Sequence, residues 1–285
     1  MNIDATNTPL SKISADAIAV GVWTGEPLTP PVADVDAATS GVITRMIDAG
    51  EISTERLSTT QLIGLPGVTA RRILLIGLGC RDEVDARLAY RVGGVAAKTL
   101  ASEKNCKSIA VYLPVDSIRD AVCGMIAGGV GQDLFRSEKK IRPIEQASWF
   151  NDGGESPDAA IAQGRVLGDS VNLTRELVNL PASEIYPASF ADRAVATGKA
   201  SGFEVDVWGD EKLAAENCNA LLAVGRGSAK ESRLVQMHYR GGGDDDPVLG
   251  LVGKGVTFDS GGLSIKPSAG MLDMKCDMGG GATVV

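Results

Sequence analysis

Histidine is almost missing from this chain of 285 residues, with His238 standing alone. A single histidine leaves no material for a His-rich zinc site, an HExxH protease helix, or a Ser-His-Asp triad built elsewhere in the chain. His238 lies in Arg233-Leu-Val-Gln-Met-His238-Tyr-Arg240, a strand-like run in which it reads as a structural residue. Aromatic residues are also scarce, at 4%, which is little for a base-stacking platform. The formal net charge of -8 argues in the same direction, so nucleic acid is not indicated as a partner. No apolar run approaches the length that spans a bilayer, and no membrane association is expected. The start, Met1-Asn-Ile-Asp-Ala-Thr-Asn7, has neither the basic head nor the apolar core of a secretory signal. The five cysteines (Cys80, Cys106, Cys123, Cys218 and Cys276) are scattered, odd in number and form no CxxC. That pattern predicts reduced thiols and a cytoplasmic protein.

What is present is ordinary for a globular protein, with 44% hydrophobic and 22% charged residues. Apolar runs at 17–23, 57–65, 72–78 and 108–113 predict strands, the third being the continuous pattern of a strand buried on both faces. Between them, Asp34 is placed to cap a helix ended by Gly50, and further helices are expected over 82–102 and 117–136. The alternation predicts an N-terminal α/β domain with a mixed or largely parallel sheet over residues 1–150. Asn151-Asp-Gly-Gly-Glu-Ser-Pro157 reads as the boundary to a second domain, 151–285. That second part is expected to open on a long helix from Asp158, stopped at Asn179-Leu-Pro181 because the residue before a proline is pushed out of the helical region. Helices at 190–198 and 211–217 and strands at 203–208, 220–225, 234–239 and 248–252 follow. Gly241-Gly-Gly-Asp-Asp-Asp-Pro247 reads as a polar turn with solvated aspartates rather than a calcium loop.

The chemistry gathers near the end. Residues 253–266 and 274–281 bring Lys254, Asp259, Lys266 and Asp277 together with several glycines in an otherwise apolar context. Lys254 is expected at the end of the buried strand 248–252, where open α/β sheets commonly keep ligands. Carboxylates and an amine suit a divalent metal, and a nearby dication can hold a lysine neutral so that it donates a lone pair. Lys266 can instead stay charged and face an oxyanion. The bland alternative is a pair of rim salt bridges, Lys254–Asp259 and Lys266–Asp277. A nucleotide-binding α/β protein is the runner-up on fold alone. Gly77-Leu-Gly79 follows a strand, but Asp82 stands where the third glycine of GxGxxG belongs, and Lys254 lacks Walker spacing.

The segment Lys254-Gly-Val-Thr-Phe-Asp259-Ser-Gly-Gly-Leu-Ser-Ile-Lys266, with Met274-Lys-Cys-Asp277-Met-Gly-Gly, closely resembles the metal-binding segment of the leucyl (cytosol) aminopeptidase family. Leu173-Thr-Arg175-Glu-Leu-Val-Asn179-Leu-Pro181 resembles that family's helix leading into its catalytic domain. The resemblance implies that residues 151–285 form the first part of an α/β/α metallo-aminopeptidase domain. It implies a hydrolase that removes N-terminal residues, leucine-like ones favoured, from peptide substrates, assembled as a homohexamer. Two divalent ions per subunit, Mn or Zn, would activate a bridging water. Carried over, Lys254 is a ligand of one metal, Asp259 bridges both, and Asp277 is a further ligand of the metal held by Lys254. Lys266 is the catalytic lysine, and Met274 lines the pocket for the substrate's first side chain, so that Lys254, Asp259, Lys266 and Met274 all touch substrate. The family's second signature, Asn-Thr-Asp-Ala-Glu-Gly-Arg, supplies an Asp, a Glu and the Arg that holds a bicarbonate. It does not occur in this sequence, so the chain is expected to be an N-terminal fragment. The alternative of another class is a noncatalytic fragment acting only through association.

Overall fold

In the computed structural model the description covers residues 1–85, 87–133, 135–243 and 245–285. Ala86, Leu134 and Asp244 lie outside it, within the expected helices at 82–102 and 117–136 and the turn at 241–247 respectively. The chain divides into two compact units, Met1–Asn172 and Leu173–Val285.

The three most apolar runs of the first unit become neighbouring strands. In chain order its elements are β1 (Asn2–Thr6), β2 (Ala17–Trp23), α1 (Pro30–Ala38), α2 (Val42–Asp48), β3 (Thr59–Ile63), β4 (Arg72–Gly79), α3 (Leu88–Ala101), β5 (Ser108–Tyr112), α4 (Ile118–Gly128) and β6 (Gln146–Phe150). One sheet runs β1-β6-β5-β2-β4-β3, parallel except for β3, which lies antiparallel to β4. Side chains alternate between two covered faces: Leu74, Ile76 and Leu78 pack with α3 and α4, while Ile73 and Leu75 pack with α1 and α2. That explains why β4 is apolar without alternation: both faces are buried. Each fully buried Leu or Ile stabilises the unit by about 1.5–3 kcal/mol relative to exposure. The α3–α4 crossing needs bare backbone, since a Cβ at Gly124 would meet Tyr90 O at 1.9 Å.

Several expectations are corrected here. Asp34 caps no helix; it lies inside α1 and accepts a 2.6 Å hydrogen bond from Ser11 Oγ. The helix starts instead at Pro30, whose fixed φ and missing N–H suit a first turn. It also breaks in two, because Ser40 and Gly41 take positive φ and buried Asp36 accepts from Ile43 N at 2.7 Å and Thr44 Oγ1 at 2.6 Å, starting α2. Strands β1 and β6 went unrecognised: both are short and partly polar, and they become strands because β6 pairs with β5 on one side and with β1 on the other.

The second unit is thinner. Helix α5 (Asp158–Asn179) begins in the first unit and ends in this one. After it come α6 (Pro187–Ser201), β7 (Glu204–Trp208), α7 (Asp210–Ala215), α8 (Asn219–Gly225), β8 (Leu234–His238), α9 (Ser268–Met271) and α10 (Gly279–Val284). Strands β7 and β8 form a two-stranded antiparallel pair, with His238 opposite Glu204. The expected strand at 220–225 is helix α8. Its Ala-Leu-Leu-Ala core favours helix, and a short apolar run has no period to tell the two apart. The expected buried strand at 248–252 is not formed. Val248, Leu249, Leu251 and Val252 are all exposed, Val252 at 99%. No strand among the described residues pairs with it, and without a ladder neighbour neither its backbone nor its two apolar faces can be buried.

Candidate metal centre

Asp259 and Lys266 meet because the chain between them folds back sharply. Gly261 and Gly262 take φ of +89° and +63°, the left-handed region that glycine enters without strain. A side chain at Gly261 would also strike Ser264 O at 2.3 Å. Lys266 N then donates to Ser260 O at 2.8 Å, and Lys266 Nζ reaches Asp259 Oδ2 at 3.1 Å. The other Asp259 oxygen, Oδ1, accepts the Gly261 N–H at 2.9 Å. That backbone N–H, followed by the Lys266 ammonium, holds the Asp259 carboxyl below the usual carboxylate range.

Lys254 and Asp277 are brought together by α10. Gly281 N donates to Lys254 O at 2.6 Å, and the backbones touch so closely that a Cβ at Gly253 would meet Gly280 O at 2.4 Å. Met278, at the entry to α10, is fully buried with Leu177, Ile185 and Ala282. Beside it, Asp277 Oδ2 lies 2.9 Å from Lys254 Nζ. That oxygen is buried yet receives no well-aligned hydrogen bond. The Asp277 carboxylate, with a weaker pull from Asp259, raises the Lys254 amine above its ordinary value against partial desolvation.

The ion pairs are therefore Lys254–Asp277 and Lys266–Asp259, the reverse of the pairing expected for ordinary rim salt bridges. Lys254 follows an exposed segment without regular structure rather than a strand end. Met274 lies in a single 3-10 turn, Met274–Cys276, and is half-buried. Cys276 is a free, exposed thiol.

Two carboxylates and an amine form a hard donor set for a divalent cation. The buried Asp277 Oδ2 already faces one cation, the Lys254 ammonium at 2.9 Å, and a metal would take that place once the amine loses its proton. Lys254, Asp259 and Asp277 thus fit a metal. Among the described residues no group of three or more His, Cys, Asp or Glu side chains is disposed to hold one, so these carboxylates would furnish only part of a ligand shell. One residue escaped the sequence reading: Lys275 Nζ donates to Asn179 O at 3.0 Å, and its position two residues before Asp277 was the available signal.

The dinucleotide alternative fails on geometry. Gly77 and Gly79 both belong to β4, and α3 starts only at Leu88, so no glycine turn delivers a helix N-terminus to a phosphate. A cavity of about 330 Å³ in the first unit is lined by Trp23, Asp85, Asp116 and Asp120 among others, with no lysine or arginine among its described lining residues to hold a phosphate.

Comparisons with known proteins follow the same division. The model of the cytosol aminopeptidase family, N-terminal domain, matches residues 19–139. That of the cytosol aminopeptidase family, catalytic domain, matches residues 172–285. The chain is 42% identical over 216 residues to a probable cytosol aminopeptidase of Rhodopirellula baltica, covering 75% of this chain and 42% of that one. It is 34% identical over 293 residues to a probable cytosol aminopeptidase of Solibacter usitatus, covering 100% of this chain and 58% of that one. It spans about half the length of the curated relatives it matches. Among solved structures, a mutant of tomato leucine aminopeptidase superposes with TM-score 0.80 at 25% identity, covering 99% of this chain and 57% of that one. The bottromycin maturation enzyme BotP in complex with Mn gives TM-score 0.75 at 27% identity, covering 94% and 54%.

Proposed function

Since the chain belongs to the cytosol aminopeptidase family, we propose that it serves a metal-dependent aminopeptidase that releases N-terminal residues from peptides. The observation that carries this reading is the Lys254–Asp277 pair with its buried carboxylate oxygen, its lysine close enough to Asp259 for mutual electrostatic influence. Lys254, Asp259 and Asp277 would hold divalent ions, which supply Lewis acidity and an activated water when bound. The donor set suits Mn or Zn, and the Mn complex of BotP favours trying Mn first.

The remaining roles belong to this chain's own side chains. Lys266, ion-paired and one-third exposed, keeps a charged ammonium available to the oxyanion that forms on a scissile carbonyl. Such a donor acts mainly on turnover, because the negative charge exists only in the transition state. Met274, half-buried beside the site, offers an apolar wall to a leucine-like first side chain. Two divalent ions per subunit, a bicarbonate, a homohexamer and a cytoplasmic location belong to the same proposal; no helix among the described residues is long and apolar enough to cross a membrane. The domain boundary at 151–157 is proposed as well, supported by its place between the two family-model matches. Limited proteolysis that spares 151–157 would count against it. A purely associative role is not favoured by the family matches.

The test is hydrolysis of a leucyl chromogenic substrate by the metal-loaded protein in its full-length version. Release that depends on added Mn²⁺ or Zn²⁺ and is lost in Asp277→Asn is expected. Equal release in excess chelator, or none at saturating metal, would overturn the reading.

A further inference from the structure

Asp277 sits in a segment that cannot hold its own shape. The turn Met274–Cys276 is three residues long, sustained by Cys276 N to Asp273 O at 2.8 Å and a long Asp277 N to Met274 O contact at 3.3 Å. A single 3-10 turn of this kind is intrinsically weak. Two ties flank the carboxylate, and both run to the last turns of α5. On one side Met278 is buried against Leu177. On the other, the Lys275 ammonium donates at 3.0 Å to Asn179 O, 96 residues away in sequence. Asn179 is the last residue of the 22-residue helix α5, two residues before Pro181, and helix carbonyls at this end point out of the helix with its negative dipole end. A lysine is chemically suited to this place, since it supplies several donors and a positive charge to carbonyls at a helix C-terminus.

We infer that Lys275 is a positioning residue for the metal ligand Asp277: by anchoring the 274–277 turn to the C-terminus of α5, it fixes the direction in which the Asp277 carboxylate faces Lys254. The inference rests on the metal-site reading above and assigns Lys275 no contact with metal or substrate. Met278 and the docking of α10 on residue 254 tie only the C-terminal side of Asp277, which leaves the N-terminal side of the turn free to pivot. Adding the charged tie on the opposite side of Asp277 removes that rotation. Groups that orient a ligand in this manner typically govern metal affinity by 10–100-fold.

The experiment uses the whole chain and Mn²⁺ alone, with calorimetric titration and backbone hydrogen exchange read on wild type, K275M and K275R. K275M is expected to bind Mn²⁺ about tenfold more weakly and to exchange the amides of residues 276 and 277 at least about tenfold faster, at an unchanged thermal midpoint. K275R keeps a charged donor and is expected to restore both to within about threefold. Wild-type affinity and exchange in K275M would overturn the assignment. So would equal losses in K275M and K275R with a lowered midpoint, which mark a general structural role. Where K275M fails to fold, K275Q is read in the same way. A wild-type chain that binds no Mn²⁺ would sink the metal-site reading, while the exchange rates at residues 276 and 277 would still decide whether Lys275 anchors the turn.

Discussion

In Met1–Asn172 both faces of a six-stranded sheet are covered and every residue of β2 is buried, whereas in Leu173–Val285 the fully buried apolar cluster consists of Leu177, Ile185, Met278 and Ala282. The first unit is held by packing on two sides of one sheet. The second is held at its candidate site by backbone hydrogen bonds, glycine geometry and two ion pairs. The chemistry-bearing lysines and aspartates all lie in the second. Where shape comes from burial, substitutions should act on stability. Where it comes from directed polar contacts, they should act on the site.

Thiol reactivity should separate buried from exposed positions most widely. Cys106 is fully buried and its thiol is pushed up to about 11, by desolvation first and by Asp16 next. At pH 8 only about one in a thousand such thiols is ionised. An ordinary exposed thiol is roughly one-tenth to one-quarter ionised at that pH, so Cys80 and Cys276 should label about 10²-fold faster from thiolate population alone. Burial of the Cys106 sulfur widens the gap further; the rates are read with a disulfide reagent followed by peptide mass mapping. Comparable rates would mean that the first core opens readily. Next in size, Lys266→Ala in the metal-loaded full-length version should lower kcat by about 10²–10³-fold with little change in KM. A loss confined to KM would remove Lys266 from its proposed role.

Leu74, at 0% exposure in the first core, sharpens the contrast in stability. Leu74→Ala should destabilise by roughly 3 kcal/mol in urea unfolding, and Leu251→Ala, at 68% exposure, by less than about 0.5 kcal/mol. Similar midpoints for the two would erase the contrast. The smallest effect concerns pH. The Lys254 amine is raised by Asp277 and must lose its proton to coordinate a cation, so binding releases a proton and Mn²⁺ affinity should climb by up to about tenfold per pH unit across the neutral range. Calorimetry showing affinity flat or falling with pH would mean that Lys254 is no ligand.

Strands β2, β4 and β5 were legible in the sequence because burial on both faces demands unbroken apolar runs, and any such run inside the sheet finds neighbours. The same pattern at 248–252 misled, because a run alone cannot supply the neighbour, and α8 misled because seven residues carry no usable period. At the site, the identities of Lys254, Asp259, Lys266 and Asp277 stood out by residue type and by their glycine company. Their partners did not. Lys266 returns to Asp259 only because Gly261 and Gly262 reverse the chain, and Lys254 meets Asp277 only because α10 docks its backbone on residue 254. For Lys275 only its place two residues before Asp277 was legible; its acceptor, at the C-terminus of α5, was not.

By itself, then, the sequence determined the α/β class, the family and the residue types that could hold a divalent cation, since composition, apolar runs and local motifs are properties of the chain alone. Tertiary structure decided which lysine faces which aspartate, which oxygen is buried without a good hydrogen bond and which apolar runs find cover. Each of these depends on contacts between residues distant along the chain, and backbone direction at glycines and helix ends sets those contacts rather than local preference.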